Sequence, residues 1–197
     1  PMFTLFPCAA GCGMPAITGS QLCAVHVSSK EQEAARIGRY ISERMVIKDL
    51  NASGLHFTSV DFSHRTFYGC NFRRATFSMC LFTGAFMRMV FFDFANFYTC
   101  DFSSSDLQFL SFAGAKISDC TFEGSELLHV NYGGAEIRDC TFNKSDLHNS
   151  RFINADMEYC DFIDCNIKKV YFVRAKQEGI SFKSSNTAEA VFTLGEE

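Results

Sequence analysis

From Leu55 to Phe182 the chain repeats one pattern every five residues without a break. An apolar residue sits at the centre of each block, starting with Phe57, Phe62, Phe67 and Phe72 and closing with Phe172, Gln177 and Phe182. Of 26 centres, 25 are apolar, and Gln177 is the exception. Two positions before each centre the side chain is small or aliphatic, except for Arg65. A helix places apolar residues at steps of three and four, and a strand alternates them, so neither period fits. Two inward residues spaced by two, then a polar step of three, match a short extended segment followed by a corner. Four corners close a coil.

A second period tests this, because stacked coils align equivalent residues in columns one full coil of 20 apart. Phe62, Phe82, Phe102, Phe122, Phe142, Phe162 and Phe182 form one column. Phe72, Phe92, Phe112, Tyr132, Phe152 and Phe172 form the facing one. The two remaining faces turn aliphatic after their first members, as in Met87, Leu107, Leu127, Leu147, Ile167 and in Ile117, Ile137, Met157. Ala75, Ala95, Ala115, Ala135, Ala155 and Ala175 make a column of small residues. The pattern predicts an all-β solenoid of about six and a half coils, roughly 31 Å long at the usual strand spacing. Each coil buries its core only by stacking, so both ends need caps.

Blocks such as Ala155-Asp156-Met157 and Cys160-Asp161-Phe162 resemble the pentapeptide-repeat family, whose blocks read roughly Ala-Asp/Asn-Leu/Phe-x-x. The resemblance covers residues 55–182. It implies a right-handed quadrilateral β-helix.

Composition agrees with a repeated position: 23 phenylalanines, no tryptophan and only three prolines. A net charge of −4 argues against a surface that coats nucleic acid. No apolar run is long enough to span a membrane. The opening residues lack the basic region and long apolar run of a secretory signal, which leads to the expectation of a cytoplasmic protein.

Ten cysteines divide into two groups. Cys80, Cys100, Cys120, Cys140 and Cys160 share one column, and Cys70 and Cys165 take the equivalent slot on other faces. These read as small buried hydrophobes beside the rings. The other three belong to Cys8-x3-Cys12-x10-Cys23-x2-His26, four donors within 19 residues. Zinc takes four such donors in a tetrahedron, with paired ligands on tight turns. A disulfide plus a free thiol is the competing reading. The segment resembles small bacterial Cys3His knuckles ending in Gly-x-x-x-Cys-x-x-His, here Gly19 to His26. A structural Zn2+ on Cys8, Cys12, Cys23 and His26 is expected to hold residues 1–28, which are too few to bury a core alone. With no Lys or Arg between Pro1 and Ser29, nucleic-acid binding by this segment is disfavoured.

Ser28 and Ser29 offer helix caps, and Ala34, Ile37, Ile41 and Met45 recur at helical spacing. They predict a helix over about 29–46, within a capping segment 29–50 that covers the first coil. Residues 183–197 read as a terminator and cap, with Ala190, Val191, Phe192 and Leu194 as its apolar cluster. Relatives in the family dimerise through that end, so the resemblance implies a possible homodimer.

No nucleophile pairs with any of the five histidines, and no phosphate loop or spaced carboxylate pair is present, so the chain reads as a non-enzyme. Two surface features remain. Asp106, Glu126 and Asp146 stack coil on coil, and residues 117–164 carry ten acidic and three basic side chains. This is either a solvated face or, as quinolone-resistance members of the family imply, a mimic of duplex DNA that binds gyrase or another topoisomerase. A mimic should be acidic along most of its length, whereas the flanks here are not. The second feature is a set of outward apolar residues near one corner: Tyr68, Phe86, Met89, Phe91, Phe94, Phe109 and Leu128. Such a patch marks an interface with a protein partner or a second copy. Alternatively, it is a local bulge or is covered by Phe3, Leu5 and Phe6. The expected function is a non-catalytic interaction or scaffold module, with topoisomerase binding as the alternative.

Overall fold

The computed structural model describes residues 5–193. It is a parallel β-solenoid of about 7 turns with one helix. Three-residue strands β1 (Val46–Lys48), β3 (Thr66–Tyr68), β5 (Phe86–Arg88), β7 (Asp106–Gln108) and β9 (Glu126–Leu128) make one sheet. The other sheet holds β2 (His56–Thr58), β4 (Thr76–Ser78), β6 (Asn96–Tyr98), β8 (Lys116–Ser118), β10 (Glu136–Arg138), β11 (Asp156–Glu158) and β12 (Lys176–Glu178). Every pairing is parallel and joins residue i to i+20, as in Phe67↔Met87 and Ile117↔Ile137. The two remaining sides are linked by single bridges at the same interval, for instance Asn71↔Phe91 and Thr121↔Thr141.

The corners share one backbone device. Every fifth residue from Asp49 to Ser184 has φ between 52° and 71°, whether it is glycine or not. That left-handed residue turns the chain, and its N–H donates to a carbonyl of the next coil, as Met79 does to Tyr98 at 2.9 Å.

Inside, the two phenylalanine columns are ring stacks. Successive rings from Phe62 to Phe182 lie 4.4–5.3 Å apart and nearly parallel. Between columns the rings meet edge to face, as Phe142 and Phe152 do at 5.9 Å and 86°. Both arrangements suit the ring quadrupole. The small residues beside them bind the previous coil: Ser105, Ser125 and Ser145 donate to the carbonyls of Phe82, Phe102 and Phe122 at 2.6–2.7 Å. Cys80, Cys100, Cys140 and Cys160 make the same contact more weakly, with Sγ 3.5–3.6 Å from the carbonyls of Phe57, Phe77, Ile117 and Ile137. Burial pushes the Cys70 thiol up to about 12, so it stays protonated at neutral pH.

The frame runs beyond 55–182 at both ends. Ile47 and Ala52 are fully buried in the first coil, and Phe192 stacks on Phe172 at 5.2 Å. The helix, α1, spans Lys30–Ser42 rather than 29–46. Ser29 caps it through Gln32, and Ala34, Ile37 and Ile41 join the solenoid core. Met45 does not extend that face: it is exposed, and its carbonyl accepts from the Thr66 N–H at 2.9 Å as the chain enters β1. Arg65, the irregular small-position residue, reaches the helix C-terminus and donates to the Ser42 carbonyl at 3.3 Å. At the far end β12 has no strand beyond it among the described residues, which leaves Gln177 exposed. Leu194 lies outside the described residues.

One core position is imperfect. The Tyr132 ring continues its column, but its buried hydroxyl has no hydrogen-bond partner among the described residues. Desolvation without a partner is costly, so Tyr132→Phe should stabilise the fold by about 1 kcal/mol. A denaturant midpoint that falls instead would show that the hydroxyl is satisfied.

Candidate metal centre and interaction surfaces

Two tight turns build the candidate metal centre. In the first, the Gly11 N–H donates to the Cys8 carbonyl at 2.9 Å and sets Cys8 and Cys12 side by side. In the second, the His26 N–H donates to the Cys23 carbonyl at 2.9 Å, turning the imidazole back toward Cys23. A bridge between Pro7 and Pro15 closes the first turn, and the Ala9 N–H to Gln21 carbonyl bond joins it to the approach to the second. The ligand atoms of Cys8, Cys12, Cys23 and His26 all lie within 4.8 Å of one another. Cys8 Sγ and Cys23 Sγ are 3.6 and 3.4 Å from His26 Nδ1, and Cys12 Sγ is 3.7 Å from Cys23 Sγ. Bonds of ~2.3 Å to sulfur and ~2.0 Å to nitrogen give tetrahedral edges of roughly 3.5–3.8 Å, so the four donors could hold one metal ion. The Cys23 backbone N–H, 3.3 Å from Cys8 Sγ, is the main cause holding that thiol down to about 6.

The knuckle is fastened to the solenoid by one asparagine. Asn51 is buried; its side chain donates to the Ala16 carbonyl at 2.6 Å, and its backbone N–H donates to Thr18 Oγ1 at 2.7 Å. Asn71, one coil on, donates to Asn51 Oδ1 at 2.9 Å and orients it. Gly54 closes the same seam: a Cβ there would stand 3.1 Å from Ala24 Cβ, on a backbone at φ +71°.

The outward apolar residues do not share one corner. Tyr68, Phe86, Met89, Phe109 and Leu128 lie on or beside the β3–β5–β7–β9 face, and Phe91 opens the next side. Phe94 turns the following corner, because it is the left-handed residue two beyond the buried Phe92. Its ring lies over Gly114, where a Cβ would come within 2.6 Å of it. Cations sit on these rings: Arg88 on Phe86 at 3.9 Å, Arg73 on Phe91 at 4.4 Å, Arg74 on Phe94 at 5.6 Å and Lys48 on Tyr68 at 5.8 Å. The patch is therefore mixed basic and aromatic, not simply apolar. Phe109 stacks on His129 at 4.8 Å. Leu5 and Phe6 are exposed and line a cleft with Asp49 and Asn51, whereas Phe3 lies outside the described residues. A second exposed group, Met79, Leu81 and Tyr98, occupies the diagonal corner. Its signal was present in the sequence as large apolar residues at outward positions.

Asp106, Glu126 and Asp146 do stack in register. Asp106 is held by Arg88 at 2.8 Å, and Asp146 accepts from Asn166 at 3.0 Å and from the His148 N–H at 2.9 Å. Elsewhere in the acidic stretch, Arg138 bridges Asp156 and Glu158 at 3.2 and 2.6 Å, Lys176 pairs with Glu158 at 2.7 Å and Lys144 with Glu123 at 2.9 Å. No helix among the described residues is long and apolar enough to cross a membrane.

A parallel solenoid whose sides are five residues long and whose corners recur every fifth residue defines a narrow class of repeat protein. Residues 133–168 of the chain match the family described as pentapeptide repeats (8 copies), and the five-residue frame of corners continues on both sides of that match. The chain is similar to the crystal structure of HetL, a pentapeptide repeat protein involved in heterocyst differentiation regulation from the cyanobacterium Nostoc sp. strain PCC 7120. The two share 13% identity, over 85% of this chain and 98% of that one, with a TM-score of 0.36. Rfr23 from the cyanobacterium Cyanothece 51142 shares 13% identity over 72% of this chain and 90% of its own, with a TM-score of 0.36. A trypsin-treated form of QnrB1, a plasmid-mediated fluoroquinolone resistance protein, shares 21% identity over 71% of this chain and 86% of its own, with a TM-score of 0.37. None of the curated proteins matches the chain.

Replacing Asn51 with Ala should leave the Ala16 carbonyl unpaired at a cost of about 1–3 kcal/mol. Hydrogen exchange should then quicken at residues 16–18 while the central coils keep their protection. Unchanged exchange there would show that Asn51 is not the fastening.

Proposed function

We propose that this protein is a non-catalytic interaction module, a rigid rod whose metal-held cap and first coils present a basic-aromatic surface to a protein partner. The observation that carries the reading is the set of cations lying on outward rings at Phe86, Phe91, Phe94 and Tyr68. Arginine and aromatic residues are those most enriched at binding hot spots. Here they stand on a backbone fixed by a fully packed core, so little conformational entropy is lost when a partner docks. DNA mimicry is the weaker reading, because Arg138, Lys144, Lys176 and Arg88 pair with carboxylates of the acidic stretch and reduce its field. Exchanging Phe94 or Phe109 for Asp should weaken association at least about tenfold, the loss of roughly one hot-spot contact. Complexes captured from the native host by the unsubstituted chain and by each variant provide the comparison. Identical recovery by both variants would sink the surface as the binding site.

The ion we assign to Cys8, Cys12, Cys23 and His26 is a structural Zn2+. Four protein donors fill its coordination shell and leave no open position for substrate, which supports a role in folding. Elemental analysis should find about one zinc per chain, lost in Cys23→Ser together with ordered structure in residues 8–26. A metal-free chain with an unaltered knuckle would refute this.

A further inference from the structure

Where the knuckle meets the first two coils, Lys30, His56, Arg73 and Arg74 converge on one cleft of about 220 Å³. Its apolar side is formed by Met14 and Val25. No carboxylate lines it among the described residues, in a protein whose net charge is −4. Two carboxylates act on these residues from outside the cleft. Asp93 holds one edge of Arg73 at 3.1 Å, and Glu31 acts on His56 and Lys30 from the first turn of α1. Neither Lys30 nor Arg74 forms an ion pair with a carboxylate among the described residues, and Arg74 instead leans on the Phe94 ring.

Lys30 and Arg74 thus line the cleft with positive charge that no carboxylate of its lining offsets. Guanidinium groups present forked donors that match phosphoryl oxygens, and a neighbouring ammonium adds a point charge. We infer that this cleft is a binding site for the phosphoryl group of a small phosphate ester. Met14 and Val25 would lie against the ester's apolar body. Several chain segments build the cleft, so it exists only with the knuckle seated: Met14, Ala24 and Val25 come from the knuckle, Lys30 from the start of α1, Ser53 and Gly54 from the first coil, and Arg73 and Arg74 from the second.

The test is calorimetric titration of the full chain, purified with its metal, using inorganic phosphate, AMP and succinate at low salt. Saturable binding of phosphate and AMP is expected, with AMP the tighter and succinate much weaker. Lys30→Gln and Arg74→Gln should each weaken it about tenfold, one charge-assisted contact apiece, while Lys169→Gln at the far end leaves it unchanged. The NMR resonances of His56 and Gly54 in the unsubstituted chain should move on titration, a readout independent of the variants. The assignment is overturned if neither phosphate nor AMP saturates, if the Lys30 and Arg74 variants bind normally, or if Lys169→Gln loses as much. Succinate binding as tightly as phosphate would equally overturn it.

Discussion

A left-handed residue at every fifth position governs this structure. For anything other than glycine that conformation costs about 1 kcal/mol or more, and most of these corners are not glycine. No single corner would be stable in isolation. Those before the last coil hold because the residues on either side are committed: one inward side chain before, another after, and a backbone N–H typically bonded to the coil beyond. The corner therefore demands a continuous core, and the stacked rings supply it at a separation close to the spacing of parallel strands. Phenylalanine fits this role because a flat ring stacks on its own copy at that distance without leaving a void.

The same logic explains the ends. A coil with nothing above it would expose its inward side chains and its backbone edge. At the amino-terminal end α1 and Ile17 of the knuckle extend the hydrophobic core, while Asn51 and Arg65 bind the Ala16 carbonyl of the knuckle and the Ser42 carbonyl of the helix. At the other end the core thins out through Ile180, Phe182, Ala190 and Phe192, all only partly buried.

Legibility in the sequence followed repetition. The frame, its four sides and the inward columns could be read because each statement was made many times over. Features that occur once were harder. The first coil escaped notice because Ala52 is small and Met45 and Val46 resemble a continuing helix. The helix is shorter than its apolar spacing suggested because strand pairing to Thr66 competes for the Met45 carbonyl. The clustering of Cys8, Cys12, Cys23 and His26 was legible from their spacing, since two tight turns tolerate few arrangements. The outward patch differs in shape from its linear order: Phe94 is close to Met89 in sequence, but a whole side of the coil lies between these two corner residues. Its arginines were in plain view, but Arg74 and Lys48 meet rings 20 residues on and Arg73 a ring 18 residues on, in the next coil, where linear reading does not look.

The uniform step from residue i to i+20 also bears on how such a chain can change in length. Adding or removing 20 residues lengthens or shortens the rod by one layer and leaves each downstream side facing the same way. A change of five keeps every inward position inward but turns everything beyond it by a quarter, carrying its surface to another side. The fold is therefore indifferent to an alteration that would scramble its exterior. Its surface is written in a coarser unit than its core.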